Sequence, residues 1–413
     1  MMNKIRKVLA FFMLFNPLGS TADTMTLPDA LALSLRSHPA VAAKKNEYMA
    51  SESALEGSLY QRFPSISAQS TAIPINGTPT RTNSLRLEQP LWTGGRVTSQ
   101  IEAATARLGS AKSSLNEVER DMVIKTAVAF IEVIRTSLRL EVAEENITEF
   151  KRLLELIERR SKSEVSSLSE VIVARARLQQ AKSDKINLES SYENSKADLE
   201  QLTGKKIEQL VFPVPDLKLT GSLNDVLESA VEKSPSLKRA DFEVQAAEAE
   251  VNLKEAALYP QISVRYEKFW GDLASRNTDL IYLAVAYQPG AGLSSFSAID
   301  ESRSKKLSSA LSEESLKKEL TDKVRVDWNK VRSSSQQIDV IKELVVAARD
   351  TYESSVRQYA VGRKNWVEVL NARKEYAAAK NSLIDEEWGG YLSKVKLDIA
   401  CGCGSISPLL DYQ

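Results

Sequence analysis

The sequence predicts a mainly α-helical protein that also forms a β-barrel, built from one structural unit that occurs twice. Residues 27–67 align without gaps on residues 223–263, so the chain contains an internal repeat. Long stretches place apolar residues at alternating spacings of three and four, which is typical of coiled-coil helices. Short segments with alternating polarity separate these stretches and indicate strands. A fixed order of elements in both halves indicates a duplicated architecture.

The first 22 residues predict a secretory signal peptide. Lys4, Arg6 and Lys7 precede a short apolar run, and Ser20-Thr21-Ala22 supplies small residues for cleavage. The run is shorter than the roughly 20 apolar residues that a membrane-spanning helix needs. We therefore expect the protein to leave the cytoplasm.

The composition gives no support to nucleic-acid binding or catalysis. Lys and Arg together number 55, as do Asp and Glu, so the chain has no bulk positive charge. His38 is the single histidine, and no nucleophile, phosphate-loop or metal-site spacing is present. We expect no enzymatic activity, no cofactor and no metal. Cys401 and Cys403 are expected to be small residues near a helix end, because a disulfide between them would close a strained ring.

The repeat sets the predicted boundaries of the chain. The signal peptide, 1–22, is followed by a first repeat at 23–204, a linker at 205–222, a second repeat at 223–404 and a short tail at 405–413. The linker contains Phe212-Pro213-Val214-Pro215, which favours an extended conformation.

Each repeat begins with a helix and two strands. In the first repeat a helix over 28–60 ends before Pro64, which cannot continue it. Strands follow at 65–75 and 82–91, joined by Asn76-Gly77, and the second-repeat strands are 261–270 and 279–288. About ten residues with one apolar face fit a tilted transmembrane strand, although a periplasmic hairpin would show a similar pattern.

Each repeat continues with two long helices. The spacing predicts a helix over 97–160, with a slip in the ladder near Ala129 and Val133 that is typical of a coiled-coil stutter. After a break, a helix returns over 168–203. At ~1.5 Å per residue the first of these is about 95 Å long, and the helices 28–60 and 168–203 match it when placed end to end. We expect a rod of antiparallel coiled-coil helices in each repeat, with a two-strand hairpin at one end and a helical turn at the other.

Four strands per chain cannot close a barrel, because the smallest membrane barrels have about eight. An open sheet edge in lipid would leave backbone groups unpaired. Closure therefore requires other copies of the chain. Two copies would supply eight strands and three would supply twelve, and the residue pattern does not choose between them.

Four motifs resemble the TolC family of outer-membrane export proteins. In chain order they are Leu27-Pro28-Asp29-Ala30-Leu31 with His38-Pro39, Gln89-Pro90-Leu91-Trp92-Thr93-Gly94-Gly95-Arg96, Tyr359 and Gly362 with Glu368-Val369-Leu370-Asn371-Ala372, and Ala400 with Gly402. The resemblance covers residues 25–404. It implies a homotrimer with a twelve-stranded barrel in the outer membrane of a Gram-negative bacterium and a long periplasmic α-barrel. The implied partners are outer-membrane lipid, a periplasmic adaptor protein and an inner-membrane transporter that is ATP-driven (ABC) or proton-driven, with no nucleic acid.

The resemblance also implies an adaptor-docking tip and a periplasmic gate. The tip consists of Val361, Gly362, Arg363 and Lys364. The gate consists of Glu368 and Asn371, with their first-repeat equivalents Glu170 and Val173. Three copies of Glu368 would form a negative ring that favours cations, and Asn371 adds no second ring. Glu164 stands where the second repeat has Gly362, so we expect the first turn to be built differently.

The sequence does not decide what the protein transports, and three alternatives stay open. Residues Gln288 to Ser295 resemble the branch of the family that serves type I protein secretion, including export of large adhesins. A multidrug or metal efflux duct would have the same architecture. A purely structural periplasmic coiled coil is a third possibility, and its short alternating segments would lie in water.

Overall fold

The computed structural model of the chain describes residues 24–75, 78–219, 221–271, 278–288 and 290–403. The predicted signal peptide, the Asn76-Gly77 turn, Pro289 and the C-terminal tail lie outside these residues. Within the described ranges, every helix is too short or too polar to cross a lipid bilayer.

Apart from two strands of two residues each in the first half, the two halves of the chain contain the same succession of helices and strands. The elements of the first half are β1 (Thr24–Met25), α1 (Leu27–Ser37), α2 (Pro39–Tyr60), β2 (Ser65–Ile75), β3 (Thr78–Trp92), α3 (Arg96–Lys162), α4 (Leu168–Thr203) and β4 (Gln209–Leu210). Those of the second half are α5 (Leu223–Glu232), α6 (Pro235–Glu255), β5 (Gln261–Gly271), β6 (Thr278–Ala286), α7 (Ser294–Ala360) and α8 (Trp366–Cys401). The predicted fold class is confirmed.

The long helices of the two repeats have identical lengths and equivalent bounds. Helices α3 and α7 both have 67 residues, and α4 and α8 both have 36. Adding 198 to the bounds of α3 and α4 gives the bounds of α7 and α8. The predicted long helix over 97–160 is extended by one or two residues at each end, and the return helix 168–203 agrees with α4. The exact limits of the repeats and the linker stay predictions.

The single helix predicted over 28–60 is wrong, because the chain breaks at His38. This residue is extended, with φ −77° and ψ 127°, and separates α1 from α2. Pro39 is the cause, since a proline disfavours helical backbone in the residue before it but suits the first turn of a helix. The imidazole Nδ1 of His38 then accepts a hydrogen bond from the amide of Ala40 at 3.2 Å. Pro235 produces the same break between α5 and α6.

Helix α3 lies between the other helices of the first repeat and the helices of the second repeat. Helices α2 and α4 pack along one side of α3, and α6 and α8 pack along another side. Helices α6 and α8 also pack on α7, which gives the lateral order α2/α4, α3, α6/α8, α7. In the part of the rod that ends at the two helical turns, helices α4 and α7 are thus the two outer long helices of the chain.

The largest core surrounds the middle of α3, where the sequence predicts a stutter. Phe130, Ile131 and Ile134 are fully buried there. They contact α1 through Leu31 and α8 through Trp388. Because more than one face of α3 is covered at this level, apolar residues occur at more positions than a two-helix ladder requires.

One antiparallel sheet joins the repeats, with the strand order β2-β3-β5-β6. Strand β3 of the first repeat pairs with β5 of the second, so that Leu87 lies opposite Tyr266. Strands β2 and β6 form the two edges of this sheet within one chain. The sheet therefore ends in open edges at β2 and β6.

The cysteines differ from the expectation. Cys401 and Cys403 are joined in a disulfide, and their Cα atoms lie 5.2 Å apart. Gly402 between them adopts a left-handed conformation with φ 60°, which ends α8 and turns the chain back on itself. This turn brings the two Cα atoms within the separation that disulfides require.

Candidate functional site

The sheet presents one apolar face to the outside. Ile281, Leu283 and Val285 alternate along β6 and are all exposed. They pair in register with Tyr266, Val264 and Ile262 of β5. Paired residues point to the same side of a sheet, so these side chains form one continuous apolar surface.

On strands β3 and β5 the opposite face of the sheet is polar, and its side chains pair with one another. Arg265 contacts Glu88 at 3.0 Å, and the hydroxyl of Ser263 donates to the same carboxylate at 2.8 Å. The guanidinium of Arg86 donates to Glu267. Glu267 is buried, whereas Ile281, Leu283 and Val285 of the other face are exposed. This inversion of the usual pattern is typical of strands with lipid on one side and a polar lumen on the other.

The polar face opens into a cavity where the sheet meets the helices. The cavity has a volume of about 520 Å³, and its lining includes Glu88, Arg96, Gln100 and Arg265. Arg96 and Gln100 lie in the first turns of α3. The polar surface of the sheet therefore continues into the helical rod.

The two turns at the far end of the rod have the same backbone. Gly362 has φ 75° and Glu164 has φ 60°, both left-handed. The amide of Gly362 donates to Tyr359 at 3.0 Å, and the amide of Glu164 donates to Ser161 at 3.0 Å. The expectation that Glu164 builds a different turn is therefore wrong. A Cβ atom at Gly362 would meet no neighbour within 4 Å, so only the backbone conformation restricts substitution.

Aromatic residues pack beneath the two turns. The rings of Tyr359 and Trp366 lie 5.0 Å apart, and the guanidinium of Arg160 lies 4.9 Å from the Tyr359 ring. Ser166 of the first turn is 3.0 Å from the Tyr359 hydroxyl. Trp366 is almost completely buried. The cluster links the two turns, and the aromatic residues that flank Gly362 were the available sequence signal for it.

The predicted tip residues lie together on the second turn. Val361, Gly362 and Arg363 are exposed between α7 and α8. The ammonium of Lys364 contacts the Ser355 hydroxyl at 3.1 Å and lies 3.8 Å from the carboxylate of Glu368. The tip and the first gate residue are therefore in direct electrostatic contact.

The predicted gate residues occupy equivalent places on α8 and α4. Glu368 and Asn371 are exposed and lie one helical turn apart at the start of α8. In the first repeat, Val173 is exposed, whereas Glu170 accepts a bond from the amide of Ser167 at 3.3 Å. This capping interaction holds Glu170 on its own turn, whereas the carboxylate of Glu368 faces Lys364 at 3.8 Å, so the two repeats present these carboxylates differently.

A second polar network lies farther up the rod, at the junction of α3, α7 and α8. The carboxylate of Glu149 accepts bonds from Arg152 and from the hydroxyl of Tyr352. These bonds outweigh the opposing effect of burial and lower the pKa of Glu149 below its ordinary value. Arg373 is buried beside Tyr352 and donates to Asn146 at 3.0 Å. This network was not predicted from the sequence, although a charged Arg373 directly after an apolar ladder position was a signal for it.

A family model described as outer membrane efflux protein matches residues 32–205 and 226–388 of the chain. Outer membrane protein TolC of Vibrio cholerae is 22% identical over 331 residues, which is 76% of this chain and 75% of that protein. The cobalt-zinc-cadmium resistance protein CzcC of Cupriavidus metallidurans is 21% identical over 369 residues, which is 87% of this chain and 85% of that protein.

Solved structures of outer-membrane channels share the fold. A structure of CusC, reported with its transmembrane channel formation, has a TM-score of 0.81 at 16% identity and covers 98% of this chain and 99% of that chain. The outer-membrane channel OprN has a TM-score of 0.79 at 16% identity, with 92% and 90% covered. The resemblance to the TolC family is thus confirmed. Because the family model spans most of both repeats, the chain belongs to the outer membrane efflux protein family, and it is an outer-membrane channel protein with a long helical periplasmic part, not an enzyme.

Proposed function

We propose that three copies of this chain form the exit duct of a tripartite bacterial export system. The inverted sheet is the observation that carries the proposal. Ile281 and Leu283 face outward on an exposed apolar surface, while Glu267 is buried on the polar face. A soluble sheet would bury the apolar face and expose the polar one.

The open edges of the sheet explain why several copies are needed. Strand β2 forms one edge and β6 the other, and both would lie unpaired in lipid. Pairing of β6 with β2 of a neighbouring copy closes the sheet. Three copies give twelve strands, and the helical rods below them enclose a continuous lumen. Members of the TolC family form trimers, which supports this count over two copies.

The tips of the rod are suited to docking an adaptor protein. Val361 and Arg363 are exposed on a turn whose Gly362 leaves open space around its Cα atom. Glu368 lies just above this turn and would form a ring of three carboxylates on the threefold axis. The adaptor and an inner-membrane transporter then deliver cargo to the gate.

We propose protein secretion of type I as the pathway, because residues 288–295 resemble the branch of the family that serves it. Small-molecule or metal efflux is the second candidate. It is favoured by the match to a cobalt-zinc-cadmium resistance protein over 87% of this chain. The two candidates share the duct and differ in the transporter.

Deletion of the gene in its native host separates these candidates. Protein secretion predicts that a large protein disappears from the medium and accumulates in the cell, with unchanged sensitivity to drugs and metal ions. Efflux predicts the reverse. The wild-type gene restores either phenotype.

The same strain tests the docking tip. Gly362→Trp is expected to abolish export while trimers still reach the outer membrane, because the side chain would project into open space. Glu164→Trp is the matched control at the equivalent position and is expected to be milder. Equal loss of export at both positions would contradict the assignment of docking to the second tip.

A further inference from the structure

We infer that helix α4 of one copy packs against helix α7 of a second copy in the register in which α8 packs against α3 within one chain, and that Lys182 pairs with Glu343 of the second copy. The inference rests on the proposed closed oligomer. It goes beyond that proposal by fixing which residues meet between copies.

The repeat geometry shows which contact is missing in one chain. Helix α8 packs on α7 of its own hairpin and also on α3 of the other repeat. Its equivalent α4 packs on α3 of its own hairpin, and the image of the second contact would be made with α7. Helices α4 and α7 lie at opposite sides of the chain. Within one chain Tyr359 of α7 reaches only the turn before α4, through Ser166, so we infer that the uncovered faces of α4 and α7 meet between copies.

Exposed apolar residues on α4 mark the uncovered face. Leu168 is 71% exposed, whereas its equivalent Trp366 on α8 is 1% exposed. Ile172 is 60% exposed, whereas its equivalent Leu370 is 3% exposed. Equivalent positions thus keep their apolar character although only α8 is covered. Exposed apolar residues at buried repeat positions indicate a face that is covered in the assembly.

Helix α7 carries the matching face. Val340 is 66% exposed, whereas its equivalent Val142 on α3 is 7% exposed. One turn farther along, Leu344 is exposed on α7, and its equivalent Asn146 is the residue that receives Arg373 of α8. The face of α7 that corresponds to the α8-binding face of α3 is therefore apolar and uncovered.

Charge complementarity fixes the register. Within one chain the ammonium of Lys380 on α8 lies 2.5 Å from the carboxylate of Glu145 on α3. Subtracting 198 from the first residue and adding 198 to the second gives Lys182 on α4 and Glu343 on α7. Lysine stands at the equivalent positions of α8 and α4, and glutamate stands at those of α3 and α7, so each charge has the same sign in both contacts. Both side chains are exposed and form no ion pair among the described residues.

The contact between copies has fewer charges than its image within the chain. The carboxylate of Asp385 on α8 forms ion pairs with two arginines of α3, Arg135 at 3.0 Å and Arg139. The images of these three residues are Asn187, Ser333 and Gln337, which carry no charge. Lys182 and Glu343 are thus the retained ion pair.

Cysteine cross-linking tests the register. In a Cys401→Ser, Cys403→Ser background, Lys182→Cys with Glu343→Cys is treated with a short bis-maleimide in purified detergent-solubilised protein. We expect covalent dimers and trimers on a denaturing gel. The matched control, Lys380→Cys with Glu145→Cys, is expected to give monomers only, because that pair lies within one chain. Each single cysteine variant should give no ladder.

The outcomes separate the two proposals. Monomeric products from the Lys182 and Glu343 cysteines, in protein that light scattering shows to be trimeric, would overturn the register and leave the duct intact. A monomeric preparation would overturn the duct and the register together. As a second readout, Lys182→Glu should lower the heat-resistant trimer fraction, and added Glu343→Lys should restore it. Failure of the double reversal to restore that fraction would also count against the pair.

Discussion

Glu164 and Gly362 occupy the same position in the two tip turns, and both adopt left-handed backbone, with φ 60° and 75°. This conformation costs a residue with a side chain roughly 1–2 kcal/mol relative to glycine. The turns are otherwise closed by equivalent bonds, from the amide of Val165 to Arg160 and from the amide of Arg363 to Gln358. The first turn therefore carries strain that the second turn avoids.

Substitution of each of these two residues tests the strain. Glu164→Gly is expected to stabilise the first turn by about 1 kcal/mol, because glycine adopts the left-handed region without penalty. Gly362→Ala is expected to destabilise the second turn by a similar amount, since its Cβ meets no neighbour. Amide hydrogen exchange of the residues around each turn measures both effects. Slower exchange at the second turn after Gly362→Ala would contradict the interpretation.

Charge substitution at the gate should change ion selectivity in opposite directions. Glu368→Gln is expected to reduce cation selectivity in planar bilayers, most strongly at low ionic strength where screening is weak. Lys364→Gln is expected to increase it, because the ammonium lies 3.8 Å from the Glu368 carboxylate and offsets part of its charge. If both variants keep wild-type selectivity at low salt, Glu368 does not line the constriction.

The network around Glu149 should stabilise the rod in a pH-dependent way. Its folded-state pKa lies below the ordinary value of 4.5, so its stabilisation is present above 4.5 and is lost as the pH falls through the folded-state pKa. Glu149→Gln is therefore expected to cost about 1.5–3 kcal/mol at neutral pH, as expected for hydrogen bonds to a charged group. The difference from wild type should shrink below pH 4.5.

Thermal unfolding of the purified protein at neutral and acidic pH measures this dependence. Glu353→Gln is the control. Glu353 forms an exposed ion pair with Arg349 at 2.9 Å, and both residues lie on α7, the helix that carries Tyr352. Exposed pairs contribute about 0–1 kcal/mol, so this variant should change little at any pH. A Glu149→Gln effect that stays constant across the titration would contradict the assignment.

Neighbouring residues on β6 should differ sharply in their tolerance of charge. Ile281→Arg places a charge on the apolar face, and near the bilayer centre such a charge costs about 2–4 kcal/mol. Leu280→Arg places it on the polar face opposite Glu267, where it is expected to be tolerated. The amount of protein extracted from outer membranes measures both. Equal yields of the two variants would show that this face does not meet lipid.

Much of the fold was predictable from the sequence because the repeat imposes the same pattern twice. The return helix 168–203 was predicted with the observed bounds, since Thr203 precedes a glycine that suits a helix end. The break at His38 was missed because Ala and Leu continue the helical pattern on both sides of Pro39. The backbone of Glu164 was missed because its strain is imposed by the surrounding turn and not by the residue.

The candidate sites were predictable only in part. The tip and gate residues came from family resemblance, and the structure adds their surroundings, such as the contact between Lys364 and Glu368. The junction of Glu149, Tyr352 and Arg373 joins three helices. Its members are distant in sequence, so the one local signal for it is the charged Arg373 directly after an apolar ladder position.

Native mass spectrometry of the detergent-extracted protein tests the central claim most directly. One chain supplies four strands with two open edges, β2 and β6, and the sheet must close through other copies. We expect one dominant species with the mass of three mature chains. A dominant monomer or dimer that retains the folded sheet would contradict the proposed duct.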